Sequence, residues 1–486
     1  MKKYIIIAIA ALAALTACDK EFLTEAPKLS QSDVLTLSTF QGLDMSTAGA
    51  YSPMGSTNWY GAHFILDNEM ATGNGKRWGI IFDDYESGRY TDQYAVNYTP
   101  NSTSPLWGQA YYVISAANNV LNAIEDNGID SYISTSVSKQ DIENLRAECL
   151  FLRAFSHFDL VRTYSMPYSS ATAATAWGVP YIKVSDSEAQ PPRETMENTY
   201  KYIIDDLLEA ESVIDPDYVR AGAKDSRSTV TLEVIQAMLA RVYLYSQQWQ
   251  KAGDYADKVI TSGKYTMWTP ADLKNAACYR VDVPTGGEVI FEIYNNTSQS
   301  YGTGNENVWG MTSYEAYGDC GVSTDLTNLF EENDVRATLY SPDPDGNALF
   351  TLKYFGKGLG ALDANNVIIL RLSEMYLIRA EAAINGAKGD YSATSDLKTI
   401  ADNRGATAQP ATQTGVNDER AKELAWEAHL WFDLARTGRP MTRTDIAGNV
   451  PTTIPVGDYR WAKPIPNREF TVNHNDNFVQ NDGYGE

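Results

Sequence analysis

The sequence predicts a mainly α protein in which tetratricopeptide-like helix pairs stack as an α-α superhelix beside a large irregular part. Three observations carry that expectation. Apolar residues recur at helical spacing through much of the chain. These stretches come in pairs of about 34 residues with a turn between the two members. The long segments 53–106 and 265–366, by contrast, are rich in polar and aromatic residues and keep no sustained period.

The elements follow in order. Residues 31–52 open at Ser32-Asp33, a plausible N-cap, and keep helical spacing to Tyr51. Residues 107–126 align Trp107, Tyr111, Ile114, Ala117, Leu121 and Ile124 on one side. Residues 139–164 open at Ser138 with Asp141 in the first turn, where an acid suits the helix dipole. Their stripe runs Leu145, Cys149, Leu152, Phe155, Phe158 and Leu160. Further helices are expected at 195–214, 231–247, 249–262, 367–385, 391–403 and 418–437. The pairs thus fall near 107–164, 195–262, 367–403 and 418–437. The clearest is 231–262, with Ala237, Ala240, Tyr243 and Leu244 facing Trp249, Ala252, Tyr255 and Ala256. No such pair can bury its apolar face alone, so the pairs should stack. Strand-like runs stand at 288–294 and 349–355, and residues 440–486 are again irregular.

The N-terminus has the order of a secretory signal. Lys2 and Lys3 precede the apolar run Ile5 to Leu15, which is too short to span a bilayer. It ends in Leu15-Thr16-Ala17-Cys18, similar to the lipobox of lipoprotein signals. Residues 1–17 are therefore expected to leave as a signal peptide. Residues 18–486 remain as one body, with Cys18 acylated. At about 0.8 kcal/mol per buried methylene, several acyl chains make a firm anchor.

Losing Lys2 and Lys3 moves the formal charge from −23 to −25. Such acidity argues against nucleic acid and anionic lipid head groups as ligands, because phosphate binding rests on Lys and Arg. Cys149, Cys278 and Cys320 are widely spaced and form no CxxC pair, which points to neither a zinc site nor a disulfide framework. Cys149 reads as a small core residue. No HExxH, Walker or GxSxG pattern occurs, and the glycines of 356–360 have the wrong intervals for a dinucleotide turn. His157 and His429 lie in amphipathic stretches and read as core or groove residues rather than metal ligands. Asp83-Asp84 and Asp67/Glu69 are the carboxylate pairs that could pose as glycosidase residues, which stand about 5–9 Å apart. With 62 acids in the chain, such pairs arise by chance. The expectation is no enzyme, no cofactor and no metal.

Binding signals are stronger. Sugars stack C–H faces on Trp and Tyr and bond their hydroxyls to Asn, Asp, Arg and Gln, and rigid rings give contact area at small entropic cost. Segment 53–106 supplies Trp59, Tyr60, Asn74, Arg77, Trp78 and Tyr85. Segment 290–317 supplies Tyr294, Asn296, Tyr301, Asn305, Trp309, Tyr314 and Tyr317. The expected ligand-binding set is Trp78, Trp309, Trp59, Asn74, Arg77, Tyr301, Tyr314 and Tyr317. Trp78 and Trp309 come first, since each sits in a polar, Gly-containing loop; the structural reading of either is a loop-packing anchor. Trp107, Trp249, Trp426 and Trp431 sit at helical spacing and belong to the core.

Several blocks of the chain resemble the SusD/RagB outer-membrane nutrient-binding lipoproteins. They are Cys18-Asp19-Lys20-Glu21-Phe22-Leu23, Ala147 to Phe155, Leu370 to Ala382, Glu419 to Arg436, and Pro464-Ile465-Pro466 through Tyr484. The chain departs from the family at Ser165, at Ala428 and Leu430 where Gly and Arg are usual, and at Asp482. In the scaffold blocks Arg371/Glu374 and Arg420/Glu423 stand i,i+3 and could pair on one helix face. Glu374, Glu381 and Glu427 are expected to pair with arginines of neighbouring units, because buried charges persist only when partnered. The resemblance implies a surface-exposed glycan-binding lipoprotein, with ligand held mainly by the two loop regions. It also implies a TonB-dependent SusC-like transporter as partner, reached through the helical repeats. The acidic residues after Cys18 resemble an address for the cell surface in Bacteroidetes. The alternatives are a peptide ligand, as for RagB, a surface glycoside hydrolase, and a scaffold protein with no small ligand that uses its repeats as peptide grooves.

Overall fold

The computed structural model describes residues 33–78, 87–186, 188–281, 287–295, 306–357 and 364–485. Most of the expected periodicities become helices. The main helices are α1 (Phe40–Tyr51), α2 (His63–Met70), which forms inside segment 53–106 where no period was expected, α3 (Leu106–Asn127), α4 (Lys139–Tyr164), α5 (Met196–Val213), α6 (Leu232–Tyr245) and α7 (Trp249–Thr261). They continue with the short α8 (Val308–Thr312), α9 (Leu372–Ile384), α10 (Ala393–Asp402), α11 (Gln413–Glu423) and α12 (Leu430–Arg436). Caps fix the starts. The Ser138 hydroxyl accepts from the Asp141 N–H at 3.2 Å while Asp141 accepts from the Ser138 N–H at 2.7 Å. This reciprocal box opens α4 where the sequence places it. Thr195 and Thr231 cap α5 and α6 in the simpler way, each accepting from a backbone N–H three residues on.

The helices pack in sequence order. α3 lies on α4, α4 on α5, α5 on α6 and α6 on α7, and α7 meets α9, which carries α10 and α11. Along α4 nearly every residue from Ile142 to Tyr164 is buried, because neighbours close over it on several sides. Cys149 is part of that core, and burial pushes its thiol up to about 12. Three small sheets complete the body: β1 (Gly75–Arg77), β3 (Cys320–Val322), β5 (Leu349–Thr351) and β4 (Tyr340–Pro342) in that order, β2 (Val289–Ile293) with β6 (Val367–Arg371), and β7 (Met441–Thr442) with β8 (Thr453–Ile454). Among the described residues no helix is long and apolar enough to cross a membrane.

Three expectations need correction. The helix expected from 31 starts at Phe40, where the Thr39 side chain accepts from the Gly42 N–H, after a short turn at Asp33–Thr36. The helix expected over 367–385 is strand β6 followed by α9. The apolar run Val367 to Leu370 pairs antiparallel with β2, and a run that short suits strand or helix equally. The helix expected over 418–437 is two helices, separated by a turn in which Trp426 and Ala428 take φ of 63° and 62°. Left-handed backbone costs an L-residue about 1–2 kcal/mol, so Ala428→Gly is expected to raise unfolding stability by about 1 kcal/mol, read from a urea midpoint.

Buried ion pairs tie the stack across helices. Arg153 meets Asp206 at 2.7 Å, Arg241 meets Glu374 at 2.6 Å, Arg379 meets Asp396 at 2.5 Å and Arg436 meets Glu381 at 2.7 Å. Glu374, Glu381 and Glu427 thus pair between units, as expected. The i,i+3 pairs do not form. Arg371 ends β6, ahead of the helix, and reaches Glu423 at 2.5 Å and Glu427 at 2.8 Å. Arg420 turns to Asp433 at 2.8 Å.

Some buried acids behave differently, Glu292 among them. Burial, with Asp225 nearby, pushes the Glu292 carboxyl up to about 7. Unfolded, it titrates near about 4.3. The folded state therefore holds the extra proton between those values, and stability falls as pH rises through that window. Glu292→Gln keeps the acceptor for the Asn366 amide, 2.7 Å away. It is expected to lose less stability than wild type between about pH 5 and about pH 8 in urea unfolding.

Candidate functional site

The loop aromatics gather on the four-stranded sheet. β1 pairs antiparallel with β3, Gly75 opposite Val322 and Arg77 opposite Cys320. The Trp78 N–H extends the ladder to the Asp319 carbonyl at 3.0 Å. Strand alternation puts Lys76 and Trp78 on one face. The Lys76 ammonium accordingly stands 4.7 Å from the centroid of the Trp78 ring, a cation–π geometry, and is held at its other side by Asp445 at 2.5 Å. Gly321 is required for that ring position, because a Cβ there would overlap Trp78 Cδ1 and Nε1. Trp78 is half-buried.

The second segment returns to the same sheet. Asn307 caps α8 by accepting from the Gly310 N–H at 2.9 Å, and half-buried Trp309 rides on that helix. The Tyr317 and Gly318 N–H groups donate to the Gly310 carbonyl at 2.9 and 3.1 Å, folding the turn back into β3. Arg89 covers this turn. Its guanidinium lies 3.8 Å from the Tyr317 ring centroid and pairs with Asp319 at 3.5 Å and Glu306 at 3.6 Å. The Arg77 Nε donates to the Arg89 carbonyl at 3.2 Å. Tyr314, 40% exposed, sets its ring 6.1 Å from that of Phe350 on β5. Burial raises the Asp319 carboxyl, against the Ser87 hydroxyl and Arg89, which favour its charge. Neither the Trp78 nor the Trp309 indole N–H finds an acceptor among the described residues.

Arg77, Trp78, Trp309, Tyr314 and Tyr317 are therefore brought to one sheet and the turn that feeds it. Trp59 and Asn74 are not. Trp59 is fully buried, donates its indole N–H to Asp159 at 2.8 Å and packs on Tyr60 and Phe155. Asn74 is buried beneath β1 and donates to Glu69 at 2.8 Å. Neither offers a surface to a ligand, which corrects the expectation for both; Tyr60 shares that burial and also donates to Asp159. Tyr294, at the end of β2, lies 3.9 Å under the Lys357 ammonium. Tyr301 falls outside the described residues, as do Tyr85, Asn296, Asn305 and Cys18. Lys76 and Arg89 were missed. The period-2 spacing of Lys76 and Trp78 was a readable signal for the first; the placement of Arg89 depends on a pairing 230 residues away that no local pattern shows.

The carboxylate pair on α2 lies in the core. Burial would raise Asp67, but Lys463 at 3.0 Å and His63 at 3.1 Å hold it down to about 2. Burial dominates for Glu69 and lifts it to about 7, although Asn74 and the Ala428 N–H donate to it. The split resembles an acid–nucleophile pair, yet both side chains are sealed from solvent and committed to these partners. Asp83-Asp84 lies outside the described residues. His157 is buried against the Tyr181 ring, 3.8 Å between centroids, and burial lowers it to about 3, which makes it a neutral core side chain. Among the described residues no group of three His, Cys, Asp or Glu side chains could hold a metal ion.

The comparisons agree on one lineage. A family model described as "Starch-binding associating with outer membrane" matches residues 21–244, and the SusD family model matches residues 350–484. A SusD-like protein of Bacteroides ovatus is 23% identical over 499 residues, covering 89% of this chain and 82% of its own. The crystal structure of a SusD superfamily protein from Bacteroides vulgatus superposes with a TM-score of 0.80 at 28% identity, over 92% of this chain and 100% of that one. Surface glycan-binding protein A of Bacteroides thetaiotaomicron, solved with laminarihexaose, gives a TM-score of 0.70 at 18% identity, over 91% and 99%. With both family models matched in order and the same helix-pair fold beneath them, this chain belongs to the SusD/RagB family.

Proposed function

We propose that this protein is a non-catalytic glycan-binding lipoprotein of the outer membrane, anchored through Cys18, facing the cell surface and delivering ligand to a SusC-like TonB-dependent transporter. The observation that carries the reading is the sheet and feeding turn that gather Trp78, Trp309, Arg77, Tyr314 and Tyr317, with the Tyr314 ring 40% exposed and both indoles half-buried. The half-buried Trp78 ring, held by Lys76 on one side and Gly321 on the other, is preorganised, which lowers the ordering cost of binding. The laminarihexaose complex of the Bacteroides thetaiotaomicron relative supports a saccharide ligand. Burial of the α2 carboxylates supports capture without hydrolysis.

Affinity electrophoresis of the form lacking residues 1–18 against a panel of polysaccharides tests the ligand class. Retardation by one glycan with no release of reducing ends is expected. Retardation by none, with binding to peptides instead, contradicts it. Gly321→Ala is expected to weaken that retardation roughly tenfold by displacing the Trp78 ring, a loss of about 1.4 kcal/mol. For the anchor, Cys18→Ala is expected to leave the protein without incorporated fatty acid and to release it from the membrane fraction. Lipid labelling that persists would place the acylation elsewhere.

A further inference from the structure

A cleft of about 550 Å³ opens at the N-terminal end of α3, between that helix, the loop 100–105 and the C-terminal residues 466–468. None of the residues assigned to the glycan site lines it. Its size is that of a small-molecule site. The chain carries 62 Asp and Glu, yet none of the residues lining the cleft is a carboxylate. Three asparagines do line it, Asn58, Asn101 and Asn467, and all three are exposed. Tyr112 stands beside them on α3 with 63% of its surface open.

The walls are fixed before anything binds. The Asn467 N–H donates to the Pro100 carbonyl at 2.8 Å, and the Thr103 hydroxyl to the Pro464 carbonyl at 2.8 Å. Those two bonds clamp the C-terminal segment onto the loop. Pro100, Pro105 and Pro466 restrict the backbone around the rim. Gly108 lacks the Cβ that would strike Arg468, so that guanidinium lies across the helix at the cleft edge. The Asn58, Asn101 and Asn467 side-chain amides make no hydrogen bond to any described residue. Each therefore keeps both a donor and an acceptor to offer.

We infer that this cleft is a second saccharide site, in which Tyr112 supplies the stacking face and the Asn58, Asn101 and Asn467 amides and Arg468 bond ring hydroxyls. A side-chain amide gives and accepts at once, as neighbouring hydroxyls do. The one cation of the lining, Arg468, pairs with Glu469 at 3.0 Å, so the cleft carries little net charge and suits neutral sugars. The inference rests on the glycan reading above and adds a consequence to it. Two sites on one rigid body bind one polymer with avidity, so long chains are retained better than their short fragments.

The test compares three variants in affinity electrophoresis with the polysaccharide that retards wild type, and in calorimetry with a short oligosaccharide of that polymer. Tyr112→Ala/Asn101→Ala removes two exposed groups and is expected to leave folding and oligosaccharide affinity at the Trp78 site intact. It should weaken polymer retention about ten- to hundredfold. Trp78→Ala/Trp309→Ala should retain residual retardation, which disappears when the two pairs of changes are combined. Unaltered polymer retention in Tyr112→Ala/Asn101→Ala overturns the cleft and leaves the first site standing. Complete loss of retardation in Trp78→Ala/Trp309→Ala alone also overturns it. Binding of a peptide but no glycan by wild type overturns both readings.

Discussion

Replacing Glu423 with Leu is expected to lower unfolding stability by about 3–5 kcal/mol, enough to remove much of a typical domain's margin. Glu423 is fully buried at the end of α11 and accepts from three guanidinium groups, Arg336 at 2.9 Å, Arg371 at 2.5 Å and Arg404 at 2.7 Å. Burial alone would raise its carboxyl; Arg404 and Arg371 instead hold it well below the usual carboxylate range. Leucine leaves three buried cations sharing fewer anions, and such uncompensated charge is the costly case. Glu288 still meets Arg371 at 3.2 Å and Arg404 at 2.6 Å, so the core is weakened rather than emptied of partners. Because the folded carboxyl is depressed, its contribution is present above about pH 4.3 and is lost as pH falls below that value. Urea unfolding followed by circular dichroism checks both. A Glu423→Leu midpoint within about 0.5 kcal/mol of wild type would contradict the account.

That network also shows where sequence reasoning stops. The residues were visible, and their need for partners was visible, because an acid in an apolar helix cannot stay unpaired. Which arginine each acid meets was not. Glu374 meets Arg241 from a helix 133 residues away, and Arg371 stands on a strand rather than on the helix that periodicity gave it. The helix ends were legible where a cap announces them, as at Ser138, and illegible where a tertiary demand bends the chain, as at Trp426 and Ala428. The same division runs through the candidate site. Trp78 and Trp309 were recognisable from loop composition. Trp59 has similar neighbours in sequence, yet Asp159 on α4 takes its N–H and draws it into the core. Composition marks a segment as a candidate, whereas burial is settled residue by residue by distant contacts.

The second large effect concerns the rings themselves. Trp78 and Trp309 are both half-buried, and each carries an indole N–H without an acceptor among the described residues. Truncating a central aromatic anchor costs about 2 kcal/mol or more, so removing two is expected to weaken binding at this site at least a hundredfold. Trp78 rests on Gly321 and under Lys76 at the sheet edge, outside the helical stack, so its removal should leave the fold's main core in place.

Calorimetric titration of the form lacking residues 1–18 with a short oligosaccharide of its retarding glycan tests this directly, with wild type and Trp78→Ala/Trp309→Ala side by side. The account predicts saturable binding by wild type and a Kd raised at least a hundredfold in the variant, at an unchanged helical circular dichroism signal. Equal Kd values for the two proteins, both folded, would contradict it.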